Sequence, residues 1–459
     1  MRCIHLVGVS GIGMSALAGI CIDLGYHVTG SADTQNEQTE ALKRRGMTFF
    51  LGHAAPHVGS ADTVVRSAAV PLENPEIQKA LESSIPVLLY SEFLGILMGK
   101  KKGIAIAGTH GKTTTTALTG WILRYAGYDP TVVCGGVMRN TDSNAIYGKG
   151  EYFVAEACEY QRSFLNLKKW HSIVTNIEND HLDYYRDIRD INDAFSDFLR
   201  LSEEKGITVI NGDDINLREV VKNIKELVPC TVGYGEENRY RIQELVNRGG
   251  YYSFLLTDGK APLVRLELSV PGRFNCVNAA LSTVLAFKLG IAVTTIQEAA
   301  RQFIGTGRRL EHLGRRGKQQ LYTDYAHHPT EISLTLKTLM EIHADKKVCV
   351  VFQPHQHSRT AKLFDGFVET LLGADSIILT NIYRQRDSED QVKAVSSKDL
   401  LRELKKADAG KRVELVSDDT ALYSALEEQV HEEMVVVFLG AGDIDGKARH
   451  YAALPAGWS

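Results

Sequence analysis

The chain has 459 residues, too many for one ordinary hydrophobic core, so two or three domains are expected. Apolar residues make up 44% and charged residues 24%, the balance of an ordinary globular protein. With 52 basic against 56 acidic side chains the net charge is −4, which gives no long-range pull toward nucleic acid or an anionic membrane. No run of about 18 apolar residues is present, so no bilayer span is expected.

The segment Met1–Gly8 reads as a strand entering a glycine turn rather than a signal peptide. The seven cysteines are odd in number, scattered and never CxxC, which points to free thiols in a reducing cytoplasm rather than to disulfides or a zinc site. A soluble cytoplasmic protein without nucleic-acid partners or membrane insertion is the expectation.

Strands alternating with helices recur in three blocks, which predicts an α/β fold with parallel sheets. In the first, Cys3–Gly8 is a strand, followed by a helix with Met14, Leu17, Cys21 and Leu24 on one face. Val28–Gly30, Asp62–Ser67 and Pro86–Tyr90 continue it, and the polar, glycine-flanked stretch Met98–Gly103 reads as a hinge. The second block opens with the strand Ile104–Ala107 and continues through Tyr152–Ala155, Ile173–Asn176 and Ile207–Ile210. It turns strand-rich from about Gly233 to Val270 and ends in a helix, Asn275–Leu289. The third, from near Arg309, holds the strands Leu321–Thr323, Val348–Phe352, Ile377–Leu379 and Val435–Leu439.

The stretch Gly108-Thr109-His110-Gly111-Lys112-Thr113-Thr114 follows an apolar strand and opens a helix. Glycines let backbone N–H groups approach phosphate oxygens, the lysine reaches the β/γ-phosphates, and the threonine hydroxyl suits Mg²⁺. Ile106 stands where a full phosphate-loop pattern has its first glycine. Magnesium also needs carboxylates. Glu156 and the cluster Asp180-His181-Leu182-Asp183 lie at the ends of predicted strands, where open α/β sheets bind ligands. Either could instead be a capping or solvated acidic turn. A second glycine turn, Gly8-Val9-Ser10-Gly11-Ile12-Gly13, with Asp33 some way on, suits a diphosphate-bearing ligand, although Ser10 replaces the middle glycine of a dinucleotide fingerprint.

Together these residues resemble the Mur ligases, ATP-dependent amide synthetases of peptidoglycan precursor synthesis. The resemblance runs from Gly8 to Gly442. It is carried by Gly11-Ile12-Gly13-Met14-Ser15, Ser67-Ala68-Ala69-Val70 with Asn74-Pro75-Glu76, the phosphate loop, Thr175-Asn176-Ile177 with Asp180–Asp183, Asn275 with Asn278, and Gly307-Arg308-Arg309. Asp324-Tyr325-Ala326-His327-His328-Pro329 and Phe352-Gln353-Pro354-His355 are similar to the alanine-adding branch in particular.

The resemblance implies three domains: a Rossmann-like UDP-sugar domain over 1–98, a central P-loop ATPase domain over 99–310, and a Rossmann-like C-terminal domain binding the amino acid over 311–459. It implies ATP and Mg²⁺ as cofactors, UDP-N-acetylmuramate and L-alanine as substrates, and a monomer or homodimer. Lys112, Glu156, His181 and Arg309 would be catalytic, with Thr113, Glu156 and His181 as metal ligands. Gly108 to Thr114, Asn275, Asn278, Arg309 and Asp324 would bind ATP. Gly11, Ile12, Gly13 and Ser67 would hold the sugar nucleotide, and His328 with Arg359 the alanine. Ser10, Asp33, Cys158, Gln356 and His357 depart from the family's pattern, and the absence of lysine between Tyr184 and Glu204 predicts no carbamylated lysine. Three other readings stay open: a ligase that recycles an intact tripeptide onto the same UDP sugar, a nucleotide-driven switch, and a nicotinamide oxidoreductase.

Overall fold

In the computed structural model, which describes residues 2–181, 184–203, 205–385, 387–428 and 433–454, three sheets follow one another along the chain. The first has five parallel strands in the spatial order Thr48–Leu51, His27–Ala32, Cys3–Val7, Thr63–Arg66, Val87–Leu89. Order reverses between Cys3–Val7 and Thr63–Arg66, so the turns after these strands open on one crevice. The Gly8 turn and Ser67 both stand there.

The central sheet has ten strands. Its parallel middle runs Cys230–Gly233, Thr208–Asn211, His171–Val174, Lys102–Ala107, Tyr152–Glu156, Thr131–Met138. Beyond Cys230–Gly233 come Tyr240–Arg248, parallel to it, and then the antiparallel meander Tyr251–Asp258 and Ala261–Glu267. That is where apolar and polar residues begin to alternate in the sequence. The helix Lys112–Tyr125 sits on this sheet although it opens with four threonines, poor helix formers. Packing overrides propensity here, because all four are buried and Thr119 Oγ1 donates to Ser282 Oγ (3.0 Å) on the helix Phe274–Lys288.

The third sheet runs Glu311–Arg316, Gln319–Asp324, Met434–Leu439, Lys347–Phe352, Ser376–Leu379, Arg412–Leu415, parallel except for its first pair. Its central strand, Met434–Leu439, is fully buried, as a sheet covered by helices on both faces requires.

The stretch Met98–Gly103, read as a hinge, is packed at both ends. Met98 is fully buried, the strand Lys102–Ala107 begins within it, and a Cβ on Gly103 would fall 2.4 Å from the Lys168 carbonyl oxygen. One apolar core runs from the first sheet into the second, joining Met14, Leu17 and Leu94 to Ala105, Phe153 and Val174. Helix Tyr90–Met98, which begins where a strand was expected to end, is the strut. A Cβ on Gly95 would meet the Asn166 carbonyl oxygen at 2.1 Å, so the helix lies directly on the central domain's backbone.

Candidate active site

The phosphate loop is built as its glycines require. Gly108 has φ +136° and Gly111 φ +80°, backbone states that side chains rarely adopt. A Cβ on Gly108 would lie 2.0 Å from Thr175 Oγ1. Asn176 holds the loop from the next strand end, its carbonyl accepting from Thr109 N (3.0 Å) and its Oδ1 from His110 N (2.8 Å). Lys112 Nζ folds back onto the loop, donating to the Thr109 carbonyl (2.9 Å) and to Glu159 (2.9 Å). Burial works against that ammonium, but Glu159 outweighs it and holds the lysine above its ordinary pKa, so it stays charged.

Thr113 Oγ1 donates to Glu156 Oε1 at 3.2 Å, while Glu156 Oε2 accepts from Gly135 N at 2.8 Å. Two hard oxygens at that spacing suit adjacent positions on Mg²⁺, whose ligands at about 2.1 Å sit about 3 Å apart in an octahedron. His181 approaches the same Glu159 that holds Lys112. Its Nε2 is 3.7 Å from Glu159 Oε1 and 3.9 Å from Asp180 Oδ2, and its ring packs on Tyr160. Leu182 and Asp183 lie outside the described residues.

From the third sheet's side, Arg309 reaches Thr113 Oγ1 (3.4 Å) and Glu331 Oε1 (3.7 Å). Its neighbours Arg308 and Leu310 both have positive φ (57° and 47°), a strained junction held in place by hydrogen bonds. Arg308 donates to the carbonyls of Gly440 and Gly442, and Leu310 N donates to Asp324 Oδ2 (2.8 Å). Asp324 also accepts from Ala326 N and Thr335 Oγ1, so its present partners belong to the junction and its own domain. Burial raises its pKa, with Arg309 opposing. A cavity of about 210 Å³ lies between the domains, lined by His110, Gly111, Thr114, Asn275, Asn278, Arg309, Asp324 and Glu331. Asn278 Nδ2 donates to Asn275 Oδ1 (3.0 Å), and a Cβ on Gly111 would touch Asn278 Oδ1 at 2.7 Å, which brings both asparagines to the loop.

His328 and Arg359 have different direct partners. His328 caps the helix Pro329–Ile342, its Nδ1 accepting from Thr330 N (3.3 Å), and its ring packs on His110 of the phosphate loop (centroids 5.1 Å apart). Arg359 instead lies 3.2 Å from His355 Nδ1, whose ring meets that of His327. It also crosses to the central domain, pairing with buried Asp180 at 3.1 Å. Gly11, Ile12, Gly13 and Ser67 do converge. Gly11 precedes the helix Ile12–Asp23 with no side-chain cap, and a Cβ on Gly8 would lie 3.1 Å from Ser67 Cβ. Asp33 is exposed beside His53.

Three carboxylates escape a reading of the sequence: Glu159, Glu178 and Glu331. Glu331 is the hub of the closed junction, accepting from His327 N (3.1 Å) and facing His110 Nδ1 (3.1 Å) and Arg309. Its only sequence signal, an acidic residue in a first helical turn after Pro329, is also that of a plain helix start. Glu178 faces His110 Nε2 at 3.5 Å and accepts from Thr330 Oγ1.

His110, Glu178 and His328 lie close enough to suggest a metal site. However, the Thr330 N–H occupies His328 Nδ1, which leaves Nε2 as the protonated nitrogen, and His110 is held between two carboxylates. The cluster is ionic. Burial opposes the His110 charge, but Glu178 and Glu331 prevail and push its pKa up to about 10. A raised pKa means that this stabilisation is complete below the unfolded value of ~6.5 and is lost as pH rises through about 10. The thermal midpoint of the wild type is therefore expected to fall over that window more steeply than that of His110→Asn. Parallel curves would show that the His110 charge does not tie the domains.

A glycine-built loop with its lysine and a threonine–carboxylate pair, met across an interdomain cavity by an arginine from the side of the third sheet, define a multidomain P-loop enzyme. The Mur ligase family (catalytic domain) model matches residues 3–102, the Mur ligase middle domain 106–286, and the Mur ligase glutamate ligase domain 308–442. The chain belongs to the Mur ligase family. It is 38% identical to the UDP-N-acetylmuramate–L-alanine ligase of Aquifex aeolicus, over 96% of this chain and 95% of that one. The enzyme of the same name from Caldicellulosiruptor saccharolyticus is 39% identical, over 97% of each chain. Among solved structures, the UDP-N-acetylmuramate-alanine ligase of Thermotoga maritima aligns with a TM-score of 0.83 at 28% identity, covering 98% of both chains. A murein peptide ligase from Psychrobacter arcticus shares the fold, with a TM-score of 0.76 at 22% identity, covering 99% of this chain and 100% of that one. No helix among the described residues is long and apolar enough to cross a membrane, and all seven cysteines are free.

Proposed function

We propose that the protein is an ATP-dependent ligase that joins L-alanine to the lactyl carboxylate of UDP-N-acetylmuramate, a step of peptidoglycan precursor synthesis. The observation that carries the reading is the composite cavity, with His110, Gly111, Asn275 and Asn278 on one wall and Arg309, Asp324 and Glu331 on the other, Arg309 also reaching Thr113 of the Thr113–Glu156 pair. Residues 1–98 would take the UDP sugar, 99–310 ATP, and 311–459 the amino acid.

The central difficulty is charge, since an anionic carboxylate must approach an anionic γ-phosphate. Lys112 would leave Glu159 for the phosphates, and Arg309 would leave Glu331 to stabilise the in-line transfer. Thr113 and Glu156 would hold Mg²⁺, with His181 beside the transferred group. The metal would supply charge neutralisation and orientation of the phosphates. Transfer gives an acyl phosphate and ADP. The alanine amine then attacks the acyl carbon, and phosphate leaves. Arg359 would grip the alanine carboxylate, a planar fork being suited to it. Closure of the third domain keeps water from the acyl phosphate.

Phosphate release with each substrate omitted in turn tests this. Turnover should require ATP, UDP-N-acetylmuramate and L-alanine together. Hydrolysis independent of sugar and amine would instead indicate a nucleotide-driven switch. Efficient amide formation with the tripeptide but not with alanine would indicate the recycling reaction.

A further inference from the structure

Tyr90 stands between the two anion-binding turns and has no part in the chemistry above. It opens the helix Tyr90–Met98, half-buried, with its ring on Gly13. A Cβ on Gly13 would come within 3.1 Å of the tyrosine Cζ and 3.2 Å of its hydroxyl oxygen. The spacing of the two turns is braced on both sides. Ser91, next along the helix, accepts from Asn166 Nδ2 (2.9 Å) in the central domain. Asn144, also central, donates to the Ile12 carbonyl (2.7 Å) and Ser15 Oγ (3.1 Å) of the first helix. Among the described residues the Tyr90 hydroxyl has no hydrogen-bond partner. Burial, then the nearby Glu156 and Cys158, raise its pKa, so it remains a donor.

We propose that Tyr90 binds substrate, its hydroxyl donating to the sugar-bearing phosphate of a nucleoside-diphosphate sugar whose diphosphate rests on the Gly11–Gly13 turn. This rests on the reading that the first domain takes the UDP sugar. A substrate anchored at that turn and delivering a carboxylate to the Thr113–Glu156 pair must run from Gly13 toward Glu156. The phosphate nearer the sugar is the one on that path, and Tyr90 flanks it.

Calorimetric titration of wild type and Tyr90→Phe with UDP and with UMP tests this, because UMP lacks the second phosphate. A hydrogen bond to a charged group contributes enough that its loss weakens binding by about 10- to 100-fold. UDP affinity should fall by that factor in Tyr90→Phe, while UMP affinity stays within about twofold of wild type. In turnover, KM for the UDP sugar should rise with little change in kcat. Equal shifts for UDP and UMP, or none, would overturn the proposal. A wild type that binds neither nucleotide would overturn the UDP-sugar assignment and this inference with it.

Discussion

Lys112→Ala is expected to lower ATP-dependent turnover by at least about 10²- to 10³-fold, the loss typical when one preorganised charge is removed from a transferring phosphoryl group. The substitution has a second effect that must be separated from the first. Glu159 is 2% exposed and its carboxylate pairs with Lys112 at 2.9 Å. Removing the lysine strands a buried carboxylate, at about 3–5 kcal/mol of stability. The double variant Lys112→Ala/Glu159→Gln removes that stranded charge, so its thermal midpoint should recover much of the loss while its turnover should not. Recovery of activity in the double variant would mean that the lysine serves the fold and not the phosphates. UDP-sugar binding, whose diphosphate contacts are read as lying on the first domain, should survive in both variants.

The parts legible in the sequence were those in which local chemistry and buried pattern agree. The strands Ile104–Ala107, Val348–Phe352 and Val435–Leu439 are continuous apolar runs because helices cover both faces of their sheets. The phosphate loop announces itself because only glycine tolerates the backbone at 108 and 111. The strands Thr48–Leu51, Glu311–Arg316 and Arg412–Leu415 were not legible. They are sheet edges, partly exposed, and carry no such run.

The sequence marks candidates at the domain junction one residue at a time but does not show their pairings. His327 and His328 are adjacent in sequence yet serve different neighbours, since one leads to His355 and the other caps a helix against His110. Glu159 and Glu331 were missed for a related reason. Each matters through a partner 47 or 221 residues away, and nothing local marks the carboxylate that will meet Lys112 or His110. Gly103 and Lys101 read as linker chemistry, whereas Lys101 Nζ is spent on Thr131 Oγ1 (3.0 Å), which ties that turn to the sheet.

Arg359 is the residue on which the amino-acid assignment turns. It comes from the third domain, lies 3.2 Å from His355, and spans the junction to Asp180 at 3.1 Å. Burial would raise the Asp180 pKa, but His181 and Arg359 hold it well below the usual carboxylate range, so the pair is ionic at neutral pH. Among the described residues the guanidinium pairs with one carboxylate, Asp180. With it, the fork can take the alanine carboxylate alongside or in place of Asp180.

Arg359→Ala is therefore expected to cut kcat/KM for L-alanine by about 2–5 kcal/mol, on the order of 30- to several-thousand-fold, through KM first. Arg359→Lys should recover little of this, because an ammonium cannot present two parallel N–H groups to a carboxylate while keeping Asp180. Arg359→Ala also leaves Asp180 buried without its guanidinium partner, so some loosening of the third domain will accompany it. The two effects separate by substrate. Loss of the alanine contact raises KM for alanine alone, whereas loss of closure raises it for ATP as well, since Arg309 and Glu331 meet the phosphate loop only when the domains are together. An equal rise for both substrates would make Arg359 a residue of closure and leave the alanine carboxylate to another cation.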